Sequence, residues 1–313
     1  MMKIGLIDVD GHNYPNLPLM KLSAWHKSQG DSVEWYEPMF SGHMDKVYMS
    51  KVFSFSPDYE WCIDADEIIK GGTGYAIRLE NGKEVYDPSM DTALPHEIEH
   101  IYPDYSLYPR HTQDTAYGFL TRGCPRGCAF CHVAPKEGGA SRKVADLTEF
   151  WHGQKNIVLS DPNILACKDR MELLQQLADS KARVDFNQGL DVRLITSDVL
   201  ELLKKIRIKA VHFAFDDYKQ KDVIMRQLRF IHENTDWEHH KISVYILVNF
   251  DTTFEQDIER VEFMREVDMN PFVMIYDKQH ADMKYRYLQR YCNPMIFWQL
   301  NSFEEYDNTK GRA

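Results

Sequence analysis

No run of eighteen consecutive apolar residues occurs anywhere in the 313-residue chain, so it has no stretch with the length of a membrane-spanning helix. The opening MMKIGLIDVDGH also lacks the charged-then-apolar pattern of a secretory signal. Both absences point to a cytoplasmic protein with no membrane partner. Positive charge is scarce: 37 Lys and Arg stand against 48 Asp and Glu, for a formal net charge of −11. That balance disfavours general binding to a nucleic-acid backbone, which needs clustered cations. There is no low-complexity tract and no strict internal repeat. Cysteine is sparse too, with six residues, too few and too unevenly spread for a disulfide framework in a reducing compartment. Cys62, Cys167 and Cys292 stand alone and read as buried structural thiols.

What is present is a rich apolar content: 43% hydrophobic residues, including 16 Phe, 17 Tyr and 6 Trp, enough for a substantial core. KIGLID (3–8) reads as a strand, Asp10 to Asn16 as a polar turn, and 17–30 as a helix ending on Gly30. SVEWYEP (32–38) reads as the next strand, the βαβ start of a parallel sheet. A glycine-rich turn follows an apolar stretch in DEIIKGGTGYAI. Residues 83–114 are rich in Pro, Asp, Tyr and His and weakly periodic, as in a linker that packs on both its neighbours. From 115 onward six strand candidates recur, at least four of them followed by clear helices: AYGFLT, NIVLSD, ARVDFNQG, AVHFAFDD, KISVYILVNF and PFVMIYD. The fold class is therefore α/β. Six units fall short of a closed eight-stranded barrel, so the expectation is a partial (βα)6 TIM-like barrel. The chain divides into 1–82, the linker 83–114, the barrel 115–292, and a C-terminal segment and tail, 293–313.

Half of the cysteines fall within eight residues, in TRGCPRGCAFC, at Cys124, Cys128 and Cys131. Three thiolates on one short loop can each bind a different iron of a cubane cluster, which leaves the fourth iron open. Gly123 and Gly127 permit the tight backbone curvature that wrapping a cluster needs. Arg122 and Arg126 would offset its negative charge, within a local basic patch that also holds Lys136, Arg142 and Lys143. The alternative is a zinc site with His132 or a distant residue as fourth ligand. Structural zinc usually shows a second ligand pair, and none is present.

The motif closely resembles the signature of the radical S-adenosylmethionine (SAM) superfamily, CxxxCxφC, with Phe130 at the aromatic position. The resemblance runs across about 115–280. It implies a [4Fe-4S] cluster held by Cys124, Cys128 and Cys131, with SAM chelated at the open iron and cleaved on reduction to start radical chemistry. It also implies a one-electron donor such as flavodoxin or ferredoxin. The backbone around Phe130 would lie against the adenine. Asp161 and Asn163, in SDPN, stand where the family has a glycine-rich turn for the SAM amino group. Gln188, Asp191 and Arg193 fall near the end of the third strand, Asp216 near the end of the fourth. Asn249 and Asp251 occupy places where glycine and proline are usual after the fifth. Thr196 and Ser197 read as helix capping.

Asp10 and His12, in DVDGHNYPN, resemble the Asp-x-His-x-x-Gly loop of cobalamin-binding domains, with Pro15 in place of the glycine. Gly71, Gly72 and Thr73 resemble the turn that takes the cofactor's nucleotide tail. This implies a flavodoxin- or Rossmann-like N-terminal domain, cobalamin as a further cofactor, and methyl transfer to an unactivated carbon of an unknown substrate. A rearrangement or cyclisation is the outcome without cobalamin. Two other readings stand beside it. One is a nucleic-acid-modifying enzyme of the methylthiotransferase kind, which would need more cysteines than Cys62 in the N-terminal part. The other is a zinc- or cluster-stabilised module without catalysis. The last aromatic helix (281–292) and the linker are the expected covers of the barrel mouth.

Overall fold

The computed structural model describes residues 1–11, 14–80, 83–307 and 309. They form two compact units, Met1–Val158 and Leu159–Ala313.

In the first unit, strands β1 (Lys3–Asp8), β2 (Ser32–Trp35), β3 (Met44–Ser50) and β4 (Ala65–Gly71) form a sheet in the order β2-β1-β3-β4. All its pairings are parallel. This is the strand order of the flavodoxin-like doubly wound plan. Helix α1 (Leu17–Ser28) connects β1 to β2, with Asn16 capping it by accepting the Leu19 amide and a proline in its first turn. The period of two along β1 divides its side chains. Ile4 and Leu6 join Leu19 and Leu22 of α1 on one face, while Ile7 joins Tyr36, Met44, Val47 and Met49 on the other. No helix links β3 to β4; the loop between them lays Tyr59 and Ile63 on that second face. Cys62 in this loop is exposed, which corrects the expectation of a buried thiol.

A hairpin, β5 (Ile77–Glu80) and β6 (Lys83–Tyr86), leads into a succession of short helical turns. These cover the α1 face: Ile98 is buried in the cluster with Ile4 and Leu19, and Leu94 and Leu107 pack on it. Polar contacts fix the segment. The Tyr108 hydroxyl donates to Asp8 Oδ2 at 2.6 Å, and Asp104 Oδ2 accepts from Ser23 Oγ and Lys27 Nζ, each at 2.6 Å. Tyr105 donates to the Phe150 carbonyl at 2.7 Å.

Next come β7 (Thr115–Gly118), the two-stranded ribbon β8 (Thr121–Arg122) with β9 (Arg142–Lys143), and β10 (Asn156–Leu159). The second unit supplies β11 (Arg183–Leu190), β12 (Arg207–Ala214), β13 (Ile242–Val248) and β14 (Asn270–Ile275). The six-stranded sheet runs in sequence order, β14-β13-β12-β11-β10-β7, as a partial barrel requires. Its helices are α2 (Arg170–Ser180), α3 (Ser197–Leu203), α4 (Lys221–Asn234), α5 (Phe254–Glu266) and α6 (Met283–Cys292). Thr196 caps α3 by accepting the Val199 amide, and Thr253 with Gln256 closes a capping box on α5. Val184, Phe186, Val211, Phe213, Val244, Ile246 and Val273 are buried on one face of β11–β14. The alternate positions, among them Asp185, His212, Tyr245 and Phe272, are not.

One expectation fails here. Helix α6 packs along β14, with Leu288, Tyr291 and Cys292 fully buried and Gln289 donating to the Val273 carbonyl at 2.9 Å. Its apolar stripe is used up on the sheet, so it is a structural βα helix and not a cover for the barrel mouth.

Candidate functional site

The cysteine loop is anchored at its neck. β8 and β9 pair antiparallel, Thr121 opposite Lys143 and Arg122 opposite Arg142, and the Cys124 amide donates to the Gly138 carbonyl at 3.1 Å. Gly123 sits at φ +85°, where an added Cβ would fall 2.3 Å from the Ala140 carbonyl oxygen, so no other residue fits the turn. Gly127 is also left-handed, at φ +57°. Within the loop the Cys131 amide donates to the Cys128 carbonyl at 2.9 Å, and the Val133 amide approaches Cys131 Sγ at 3.5 Å. Cys128 is exposed, Cys124 and Cys131 are half-buried, as is Phe130, whereas Cys167 and Cys292 are buried. Three accessible thiols on one pinned loop are a donor set that suits an iron–sulfur cluster.

For the zinc alternative the same geometry is neutral. Among the described residues no three His, Cys, Asp or Glu side chains converge on one point, the three loop cysteines included. His132, its candidate fourth ligand, has Nδ1 3.3 Å from Glu84 Oε2. The basic patch is also largely neutralised. Arg122 pairs with Glu137 at 3.0 Å and Glu99 at 3.7 Å, Lys136 with Asp91 at 3.0 Å, and Lys143 with Asp146 at 2.7 Å. Arg122 therefore serves the neck of the loop, with its guanidinium over the Phe119 ring at 3.7 Å, instead of standing as a spare counter-charge.

Of the residues matched to a cobalamin loop, His12 lies outside the described residues. Asp10 is buried, and both its carboxylate oxygens accept backbone amides, from Val52 and Phe53, each at 2.8 Å. It holds the chain leaving β3. Gly71 ends β4, and Gly72, at φ +100°, caps the helical turn Thr73–Ala76. A Cβ on Gly72 would meet the Lys51 carbonyl oxygen at 2.3 Å. Gly71, Gly72 and Thr73 line a cavity of about 820 Å³ within the first unit, together with Ser50, Leu19 and Leu22. The same cavity is lined by Arg122, Lys136 and Glu137 from the base of the cysteine loop. Sequence reasoning missed Asp8 at the end of β1, whose carboxyl burial pushes up while bonds from Tyr108 and Asn16 hold it back. Its Tyr108 partner lies 100 residues away in sequence, so no local pattern marked the pair.

In the second unit, three of the expected residues meet. Asn163 Nδ2 donates to Asp191 Oδ2 at 3.4 Å, and Arg193 Nε donates to Asp191 Oδ1 at 2.8 Å. Arg193 Nη1 reaches on to Gln220 Oε1 at 2.9 Å. Asp161 is buried at the end of β10, and Gln188 is exposed on β11. Asp216, just past β12, accepts the Leu247 amide at 2.8 Å. Asn249, just past β13, adopts φ +63°, the conformation glycine would favour, and spends its side-chain amide on the Tyr276 carbonyl at 2.9 Å. Asp251 is left-handed as well, at φ +49°. These groups crowd the C-terminal ends of the strands, where βα barrels place their chemistry.

Burial raises the Asp216 carboxyl from 3.8 to about 6, an effect its amide partner and nearby Arg260 only partly reverse. The folded chain thus holds this proton more tightly than the unfolded chain. Wild-type stability contributed by the group is present below about 4 and is lost as pH rises through 6. Asp216→Asn, whose side-chain oxygen still accepts the Leu247 amide, is expected to gain about 1 kcal/mol on wild type between pH 5 and 7.5. Urea denaturation at the two pH values reads the difference; a gap that stays constant or narrows contradicts a buried carboxyl.

No family model and no curated protein matches the sequence. Solved structures do match. The radical S-adenosylmethionine methyltransferase TsrM from Kitasatospora setae, with cobalamin and a [4Fe-4S] cluster bound, aligns at a TM-score of 0.59 and 11% identity, over 88% of this chain and 72% of that one. A second structure of TsrM, with tryptophan substrate and the SAM analogue aza-SAM, aligns at 0.57 and 11%, over 88% and 73%. This chain therefore shares the fold of those structures: a parallel-sheet N-terminal domain followed by a six-stranded partial barrel.

Proposed function

We propose that the chain is a radical SAM enzyme of the cytoplasm that carries a [4Fe-4S] cluster, SAM and cobalamin, and transfers a methyl group to a small substrate. The observation that carries the reading is the three-thiol loop, pinned by its ribbon in a chain with a methyltransferase fold. Cys124, Cys128 and Cys131 would hold the cluster, with Phe130 beside the adenine. The Asn163–Asp191–Arg193 group, with Asp161, Gln188, Asp216 and Asn249, would hold SAM at the ends of the strands. The cavity walled by Gly71, Gly72 and Thr73 would take the tail of cobalamin; about 820 Å³ falls in the usual range for cofactor pockets. Asp10 would hold the chain leaving β3, and His12 is the candidate cobalt ligand. When bound, the cluster supplies one-electron reduction of SAM and cobalamin supplies a methyl carrier.

What the chain itself contributes is positioning. Glu137 fixes the neck of the cysteine loop by accepting from Gly123 N at 3.1 Å and from Arg122 at 3.0 Å. Asp191 fixes the Arg193 guanidinium with two bonds, from Nε at 2.8 Å and Nη2 at 3.2 Å. Residues 1–82 would serve as the cobalamin domain, 83–114 as linker and 115–292 as the radical SAM core, with flavodoxin or ferredoxin as electron donor.

The test is anaerobic reconstitution with iron and sulfide, followed by hydroxocobalamin and methyl-labelled SAM. The expected result is about four iron with matching sulfide per chain, cobalamin retained through gel filtration, and SAM consumed on reduction. Iron and sulfide without cobalamin would leave a radical SAM enzyme of another subclass. One zinc and no sulfide would overturn the reading in favour of a structural module.

A further inference from the structure

The face of β11–β14 that the apolar residues leave free carries a polar cluster that none of the above uses. Asp185 on β11 and His212 on β12 are both largely buried, with 18% of each side chain exposed, and His212 Nε2 stands 4.0 Å from Asp185 Oδ1. That is too long for a hydrogen bond. Asp185 Oδ1 and His212 Nδ1 are both buried and have no hydrogen-bond partner. Buried polar atoms are nearly always paired, so two unpaired atoms on facing side chains call for a ligand. Lys209 Nζ lies 3.9 Å from the other carboxylate oxygen, Oδ2, so it does not satisfy Oδ1.

The surroundings narrow the ligand. The imidazole is stacked on the Tyr245 ring, centroids 4.8 Å apart and 10° between planes. Tyr245 in turn meets Phe272 edge-on at 5.5 Å, and Phe272 is 41% exposed. Burial pushes His212 down, so its neutral imidazole prevails at neutral pH, and it pushes Asp185 up. In the tautomer with its proton on Nε2, the nitrogen facing the Asp185 carboxylate, the buried Nδ1 of His212 is an acceptor. The cluster therefore offers two hydrogen-bond acceptors and an aromatic wall, a combination that suits an amino group carried on a flat or apolar body.

We infer that Asp185 and His212 are specificity-determining residues that grip an amine-bearing substrate on the open face of the second unit's sheet, at Asp185 Oδ1 and His212 Nδ1. The inference rests on the proposed enzyme only for the word substrate; the site itself is a property of the chain. Asp185 lies four residues before Gly189 in β11 and His212 two before the end of β12, so the pair sits deeper along the strands than Asp191, Asp216 and Asn249.

The experiment titrates the full, cluster-reconstituted chain, labelled with ¹⁵N-histidine, with benzylamine, toluene and benzoate. The His212 signals are assigned by their loss in His212→Gln. Benzylamine is expected to move the His212 Nδ1 resonance saturably, while toluene and benzoate do not. Asp185→Asn is expected to raise the half-saturation concentration by about tenfold or more, the loss of one charge-assisted hydrogen bond. Equal shifts from toluene or benzoate, or an unchanged titration in Asp185→Asn with the remaining histidine spectrum intact, overturns the inference. Iron, sulfide and SAM binding are measured on the same samples. Benzylamine binding without SAM binding would fail the proposed enzyme and keep the site; SAM binding without the benzylamine response would do the reverse.

Discussion

Alanine at Cys124, Cys128 or Cys131 is expected to abolish SAM cleavage, each change alone being sufficient, while Cys292→Ala leaves it intact. Each of the three thiolates would bind a different iron, so removing one exposes a second corner of the cluster to solvent and exchange. Loss of an outer-shell partner already costs a metal site 10–100-fold, so loss of a ligand should exceed about a hundredfold. The half-buried and exposed positions of these thiols make them reachable by iron and sulfide. Cys292 differs in every respect. It is fully buried at the end of α6, and burial raises its thiol well above the ordinary value, so it stays protonated and inert. Its replacement should cost about 1 kcal/mol of stability through the small void it leaves. Iron, sulfide and 5′-deoxyadenosine, assayed together after anaerobic reconstitution, decide the matter. Retained cleavage in any one of the three variants contradicts the ligand assignment.

Arg260→Ala should be the most destabilising single change in the second unit, by about 3–5 kcal/mol. Arg260 and Asp257 lie one turn apart on α5 with no solvent exposure at all. The guanidinium donates to Asp257, to the Phe215 carbonyl just past β12, and to the Leu247 carbonyl in β13, the last at 2.8 Å. The other Asp257 oxygen accepts the amide of Asn249 at 3.2 Å, at the left-handed turn that ends β13. Truncating the arginine leaves a buried carboxylate without its counter-charge and two carbonyls without donors. The double variant Asp257→Leu/Arg260→Met removes the stranded charge as well and should recover part of the loss, since a buried pair is costly mainly when it is halved. Urea denaturation at pH 7.5 measures both. A single variant within about 1 kcal/mol of wild type would mean that water reaches the pair.

The six barrel strands and the cysteine loop were legible because their signals are local. An apolar run bounded by turn residues, or three thiols within eight residues, needs no knowledge of distant partners. The buried Arg260 was hidden for the opposite reason. In FEQDIERVEFMRE it looks like one of many charges on a solvated helix face, and only the packing of α5 on β13 and β14 turns it inward. Asp185 and His212 were obscured by strand alternation, where a polar residue at every second place is the ordinary mark of a half-buried strand. The basic patch misled because two of its four acidic partners, Asp91 and Glu99, sit in a distant segment whose sequence has no periodicity. Cys62 misled because a lone cysteine is usually buried, and the loop that carries it packs Tyr59 and Ile63, both partly buried, on the core instead.

The cover supplied by the segment after residue 86 also bears on how the chain is made. All four strands of the N-terminal sheet have left the ribosome once Gly71 is clear, but the apolar residues that close the α1 face, Leu94, Ile98 and Leu107, follow later. The Tyr108 hydroxyl bonds to Asp8 across a separation of 100 residues. During synthesis the sheet is therefore complete in backbone before it is complete in core, and its α1 face stays partly bare for the time taken to add the following residues. At about 5–20 residues per second that interval lasts seconds, long enough for a chaperone, or a second nascent chain, to meet the uncovered surface first.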